Sequence, residues 1–406
     1  MIHFEDIAAA RERISGALYY SPCTPSEPLS EVAGCRVFCK LDYLQRTGSF
    51  KERGARNALM LLPNEQRARG VVTASAGNHA LGLAYHGKLL GIPVSVVMPQ
   101  YAPLVKVETC RRLGANVILH GANLADATVL AQELSETSGL TYIHPFDNPD
   151  IIAGQGTMGL EIVEQCPQME AIIVPVGGAG LIAGVALAIK TLRPEVRIFG
   201  VEPAAAASLT AAKASGMPVA TVVESTLADG LAVARVGSLG YQIAAPLVER
   251  VATVTEDEIA LAMLRLVERE KGVVEGAGAA PLAACLARKL PEVQDLTVVL
   301  PLCGGNVDPN VLTKVIERGL VADGRLCRFS AHLSDRPGSL AEFARVIASV
   351  GASIKEITHE RAFAGPDVSA VQVVCVAETR DQAHIHAMYE ALGDVGIAVE
   401  DRSRPG

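Results

Sequence analysis

Gly70-Val71-Val72-Thr73-Ala74-Ser75-Ala76-Gly77-Asn78-His79-Ala80-Leu81 sets the pattern of the chain: a β-branched run, a turn of small residues, then an Ala/Leu-rich stretch reaching residue 90. The first part reads as a strand and the last as a helix. Working outward, a strand at 94–98, a helix at 106–113, a strand at 116–119 and a helix at 124–138 repeat the alternation. Strands at 171–176 and 197–201 bracket a further helix. Near-continuous apolar strands separated by helices predict an α/β fold of parallel sheets covered on both faces.

The pattern changes near residue 322. An alternating strand at 325–334 leads into Asp335-Arg336-Pro337-Gly338-Ser339-Leu340, then a helix to residue 350 and a strand at 352–359. A loop with Gly365-Pro366, a strand at 368–376, a helix at 381–392 and a strand at 397–400 complete a βαββαβ order. That order is the ferredoxin-like split motif. The expected division is therefore 1–322 and 326–402.

A length of 406 residues accommodates about two to three domains with a large core. Half the residues are hydrophobic, yet no uninterrupted apolar run approaches the roughly 20 residues of a membrane span. A net charge of -8 without a basic cluster argues against nucleic acid and anionic membrane surfaces. The opening Met1-Ile2-His3-Phe4-Glu5-Asp6 lacks the basic-then-apolar layout of a signal peptide. Nine cysteines lie scattered without CxxC spacing, so neither a zinc site nor a disulfide framework is expected, and a cytoplasmic setting fits.

Four segments carry chemistry. Ser49-Phe50-Lys51-Glu52-Arg53-Gly54-Ala55 puts a lysine at the start of a helical run, against the positive end of the helix dipole. That placement lowers an amine's pKa, and a neutral amine forms Schiff bases. Ser75-Ala76-Gly77-Asn78-His79, between strand and helix, frees backbone amides for a carboxylate or phosphate. Gly177-Gly178-Ala179-Gly180-Leu181 is a second anion cradle of the same kind. Cys303, in Leu302-Cys303-Gly304-Gly305-Asn306, follows an apolar strand at the end where parallel sheets place ligand contacts. A rival lies within the second cradle: Gly178-Ala179-Gly180-Leu181-Ile182-Ala183 satisfies a loose dinucleotide fingerprint, with Glu202 near the spacing of a ribose-binding acid. A dinucleotide-dependent oxidoreductase leaves the Lys51 segment and the 75–79 loop without a purpose.

A reactive lysine, two anion loops and a neutral partner for a ring nitrogen are what pyridoxal phosphate chemistry requires. The sequence resembles the fold-type II pyridoxal-phosphate enzymes of the serine/threonine dehydratase family over roughly residues 5–320. The resemblance rests on Lys40-Leu41-Asp42-Tyr43-Leu44-Gln45 leading into Thr47–Ala55, on Thr73–Ala80, and on Phe146-Asp147 with Ala153-Gly154-Gln155-Gly156-Thr157. The 177–181 loop, Ala228-Asp229-Gly230, Glu275-Gly276-Ala277-Gly278-Ala279 and Cys303-Gly304-Gly305-Asn306 extend it. The segment around 335–340 looks like an ACT regulatory domain, a layout similar to threonine ammonia-lyases.

The resemblance implies two lobes with open parallel sheets, the smaller (about 47–147) inserted in the larger. It implies pyridoxal 5'-phosphate held covalently by Lys51, with Phe50 packed beside it and Asn78 bonding the ring hydroxyl. The phosphate would lie on the amides of Gly177, Gly178, Ala179, Gly180 and Leu181, with Cys303 facing the ring nitrogen. Ser75, Ala76, Gly77, Asn78 and His79 would hold the substrate carboxylate. L-threonine, and L-serine beside it, would be deaminated by α-proton abstraction and loss of the β-hydroxyl. Serine racemase and hydroxyaspartate ammonia-lyase are alternatives on the same fold, and a silent amino-acid sensor is one outside it. An amino-acid effector would bind Asp335, Arg336, Pro337, Gly338, Ser339 and Leu340 in a homodimer or homotetramer. Two departures stand out. Ala179 replaces a usual glycine, which is tolerated if the position needs no positive φ. Leu81 stands where glutamine is common, altering packing or the substrate side. The acids of the metal-binding racemase branch are missing after Glu202-Pro203, so no metal is expected.

Overall fold

The β-branched runs form strands β1 (Cys23–Pro25), β2 (Arg36–Lys40), β3 (Val71–Ala74), β4 (Val94–Met98), β5 (Asn116–Leu119), β6 (Thr141–Tyr142), β7 (Ala171–Pro175), β8 (Arg197–Pro203), β9 (Arg250–Val254) and β10 (Thr297–Pro301). They are seen in a computed structural model that describes residues 2–360 and 370–403. The strands build two sheets, ordered β1-β2-β10-β7-β8-β9 and β5-β4-β3-β6. Every neighbouring pair is parallel except β1 with β2. The strands of the smaller sheet fall in sequence between β2 and β7, so its lobe is an insertion in the larger one.

Parallel pairing explains the composition. Strand β7 is buried at all five positions, as is β10, because helices cover both faces. The large lobe packs Ile172, Val174, Ile182, Val185, Ile189 and Ile198 into one core. The small lobe packs Leu59, Val71, Leu83, Val94, Val96 and Met98 into another. Each such side chain contributes roughly 1.5–3 kcal/mol on burial. Leu81 belongs to this second core, so its departure from the family pattern concerns packing.

The chain divides into two compact units, Met1–Val311 and Leu312–Gly406. The break falls near the start of the helix Pro309–Ala322 rather than at its end, earlier than the change of pattern at 322. The physical reason is a tie within the second unit: Lys355 donates to Glu317 of this helix at 2.7 Å. The second unit holds β11 (Leu326–Ser334), β12 (Ser353–Glu360), β13 (Ala370–Glu378) and β14 (Val399–Asp401), in the antiparallel order β12-β13-β11-β14. Alternate residues of β11 (Cys327, Phe329, Ala331, Leu333) pack with Phe343, Val346 and Met388 of the helices Ser339–Ser349 and Gln382–Asp394. This is the βαββαβ order of a ferredoxin-like unit. The expected loop at Gly365-Pro366 lies outside the described residues.

Candidate active site

Lys51 opens the helix Lys51–Leu61, and the backbone ahead of it is stitched to the loop after β10. Phe50 N donates to Cys303 O at 2.9 Å, Ser49 bridges Gly304, and Gly305 N donates to Gly48 O at 2.9 Å. Gly48 has φ 77°, and a methyl group there would come within 2.4 Å of Asn306 Oδ1. Glycine is needed on both counts. The lysine and the cysteine thus face the same space because their loops form one short ladder.

That space is a cavity of about 340 Å³. Its walls include Phe50 and Lys51, the whole of Ser75–His79, the whole of Gly177–Leu181, and Cys303. Every catalytic, cofactor and carboxylate residue expected from sequence therefore lines one cavity. The proposed effector residues sit elsewhere: Asp335, Arg336, Pro337 and Gly338 form the turn before the helix Ser339–Ser349, which Ser339 and Leu340 begin.

Lys51 Nζ donates to Pro145 O at 2.9 Å. Burial lowers its pKa to about 8, while Cys303 and Glu275 pull weakly the other way. Burial pushes the Cys303 thiol well up, so it stays protonated and neutral. His79 is held well below its usual pKa, first by burial and then by Lys51, so its ring is neutral. Its Nε2 lies 3.3 Å from Ile143 O.

Asn78 is oriented from two sides. Its Nδ2 donates to Glu275 Oε1 at 2.7 Å, and Asn306 Nδ2 donates to its Oδ1 at 2.8 Å. One Asn78 amide N–H remains for a ligand. Glu275 was quoted only as part of a glycine-rich turn, yet it lines the cavity. Burial and then repulsion from Asp229 raise its pKa to about 7. A lone acid within a Gly/Ala run is the signal that could have marked it.

The 177–181 loop precedes the helix Gly180–Leu192, with its amides at the positive helix end. A methyl group at Gly178 would approach the Phe146 ring to 2.2 Å, so a bare backbone is required there. Ala179 has φ 68°, ψ 1°, which is the left-handed region. The condition that made alanine tolerable is therefore not met: the position does take positive φ, at a cost of roughly 1–2 kcal/mol to an L-residue. Such strain is carried where the surroundings over-determine the backbone. Asp147 supplies part of that frame, accepting from Ser238 N at 3.0 Å and Leu239 N at 2.9 Å, while Gly237 N donates to Gly178 O at 3.1 Å.

Glu202 does not act as a ribose acid. Its buried carboxylate accepts from Leu209 N at 2.6 Å and from Thr210 N at 3.0 Å, capping the helix Ser208–Ser215. The dinucleotide reading falls with it.

Two residues along the helix from Lys51, Arg53 is fully buried in a charge network. It donates to Asp42 at 2.7 and 2.8 Å and to Glu161 at 2.6 and 2.8 Å. Lys40 Nζ completes the set, reaching Glu161 at 2.5 Å and Ser21 O at 2.6 Å. Two cations meet two carboxylates. One residue before Arg53, Glu52 is equally buried, accepting from Thr47 N and lying 3.1 Å from His86 Nε2.

An amine of lowered pKa, a neutral thiol and two amide-rich loops around one cavity define a site suited to an aldehyde cofactor carrying a phosphate. The residues present fit pyridoxal phosphate: the glycine-rich backbone of 177–181 lines the cavity, and among the described residues Lys51 Nζ meets a backbone carbonyl and no carboxylate within hydrogen-bond reach. Residues 14–304 match the family model for pyridoxal-phosphate dependent enzymes. The chain belongs to this family. It is 43% identical to an L-threonine ammonia-lyase of Geobacter sulfurreducens over 400 residues, covering 98% of this chain and 99% of that one. The processed form of threonine deaminase isoform 2 from Solanum lycopersicum superposes with a TM-score of 0.73 at 38% identity, over 77% of this chain and 91% of its own. Maize serine racemase also has a TM-score of 0.73, at 35% identity, over 77% of this chain and 98% of its own.

Proposed function

We propose that the chain is a cytoplasmic threonine ammonia-lyase that converts L-threonine to 2-oxobutanoate and ammonia, and L-serine to pyruvate. The observation that carries the reading is Lys51, an amine with pKa lowered to about 8 in a cavity between two anion loops. Elimination is favoured over racemisation because the Geobacter relative, an ammonia-lyase, is 43% identical over 400 residues, against 35% for the maize racemase.

Pyridoxal phosphate, when bound, supplies the electron sink that makes an amino acid's α-proton acidic. Lys51 is its covalent anchor, Gly177–Leu181 hold its phosphate, and Asn78 meets its ring hydroxyl. Ser75 with the Gly77 and Asn78 amides would hold the substrate carboxylate in the cavity that Lys51 also lines. The freed Lys51 amine would take the α-proton, and the ammonium it becomes would return a proton to the β-hydroxyl, so that the C–O bond breaks and water leaves. Cys303, whose thiol burial keeps neutral, would face the ring nitrogen without a charge to hold a proton there, which would favour prompt loss of the β-group.

The second unit serves as a regulatory domain of the ACT kind, with a small amino acid bound at Asp335–Leu340 in a homodimer or homotetramer. An effector would appear as a shift in substrate affinity. The test of the main reading is 2-oxobutanoate formation from L-threonine by purified, cofactor-loaded protein. Stoichiometric oxo acid and ammonia are expected; a loaded protein that racemises serine without releasing oxo acid would overturn it.

A further inference from the structure

Lys106 and Asp229 reach the same cavity from different lobes. Lys106 stands on the helix Leu104–Arg112 beside the small sheet, and Asp229 opens the short turn Asp229–Leu231 in the large lobe. Their side chains meet at 2.9 Å, and both line the cavity with the 75–79 loop. Among the described residues lining it, lysine and arginine are represented by Lys51 and Lys106 alone. Lys51 is committed to the reacting centre. Lys106 is therefore the cation left to receive a second carboxylate, and Asp229 neutralises it. The pair is felt inside the cavity: Asp229 raises the Glu275 pKa and Lys106 opposes it.

We propose that the Lys106–Asp229 pair sets substrate charge, admitting amino acids with an uncharged β-hydroxyalkyl group and rejecting those with a second carboxylate. A dianionic substrate must break the pair or leave its second carboxylate without a cation, because Lys106 is already taken by Asp229. This rests on the pyridoxal-phosphate reading above. Removing the Asp229 charge frees Lys106 for the extra carboxylate.

The experiment compares kcat/KM for L-threonine and L-threo-3-hydroxyaspartate in the holoenzyme and in Asp229→Asn, which keeps the side-chain shape. The hydroxyaspartate-to-threonine ratio should rise at least tenfold, chiefly through a lower KM for hydroxyaspartate. The double variant Asp229→Asn/Lys106→Gln should return to within about threefold of the parent ratio. An unchanged ratio in the single variant, or an equal rise in the double, overturns the proposal. Because Asp229→Asn is able to fail in folding, Lys106→Gln alone provides an independent arm. It leaves Asp229 unpaired, so binding of L-aspartate, followed by the visible cofactor band, should weaken at least threefold relative to L-alanine. No such weakening also overturns the proposal. These binding ratios need no turnover, whereas absent oxo acid from the parent enzyme would count against the lyase reading alone.

Discussion

Lys51 and Arg53 are two residues apart on one helix and have opposite fates. Arg53 is wholly buried with all its charge answered by Asp42 and Glu161. Lys51 faces the cavity, donating to the Pro145 carbonyl at 2.9 Å, with its Nζ 5.3 Å from the centre of the Phe50 ring. The Asp42 and Glu161 carboxylates hold the Arg53 guanidinium above its ordinary pKa, whereas burial lowers that of Lys51 to about 8. The difference teaches how a reactive amine is held still. Charges that are fully paired fix the helix, and the unpaired one a half-turn away is left to react.

Breaking the reactive side should have the largest effect. Lys51→Ala should lower threonine deamination roughly 10⁴-fold, the upper range for losing an acid–base group, with the thermal midpoint of the apoprotein unchanged or raised. Retained activity within tenfold of the parent would remove Lys51 from the chemistry.

On the structural side, Arg53→Met leaves Asp42 and Glu161 buried without their guanidinium. Removing one partner of a buried ion pair costs about 3–5 kcal/mol. A urea titration of the apoprotein should register that loss, and a change under about 1 kcal/mol would mean the network is incidental.

Glu275 sharpens the comparison because it is a carboxylate on the cavity side. Its pKa is raised to about 7 in the folded protein from an ordinary 4.5. The folded state therefore binds the proton more tightly than the unfolded one between those values. Stability from this group is full below 4.5 and is lost as pH rises through 7. Glu275→Gln keeps an acceptor for Asn78 and removes the titration. The variant should gain on the parent between pH 5 and pH 8, by on the order of 3 kcal/mol at most. A gain independent of pH would contradict the raised pKa.

The smallest effect belongs to the loop. Ala179→Gly relieves the left-handed strain but adds freedom to the unfolded chain, for a net stabilisation of up to about 1 kcal/mol. Calorimetry of the apoprotein that finds a loss instead would mean the alanine methyl contributes packing worth more than the strain.

Much of this was legible in the sequence, for physical reasons. Parallel strands announce themselves as apolar runs, and βα turns as small residues, so the Ser75–His79 and Gly177–Leu181 loops were readable where they stand. Lys51 was readable because a lysine at a helix start violates the dipole. The Arg53 network was hidden, since Glu161 is remote in sequence from Lys40, Asp42 and Arg53 and each alone resembles a surface charge. Whether Ala179 takes a positive φ was not legible, because φ is not written in a side chain. Lys106 shares with Lys51 a place in the first turn of its helix, but no motif beside it tied it to the site. The unit boundary was placed late because the composition changes at the end of the helix Pro309–Ala322, while the packing changes near its start.

The most direct measurement is to load the protein with pyridoxal phosphate, reduce it with borohydride, and locate the pyridoxyl group by peptide mass spectrometry. Labelling at Lys51, absent from Lys40 and Lys106, is the expected result. A label on another lysine, or none at all in a protein that binds the cofactor, would contradict the assignment of Lys51 as the reactive amine.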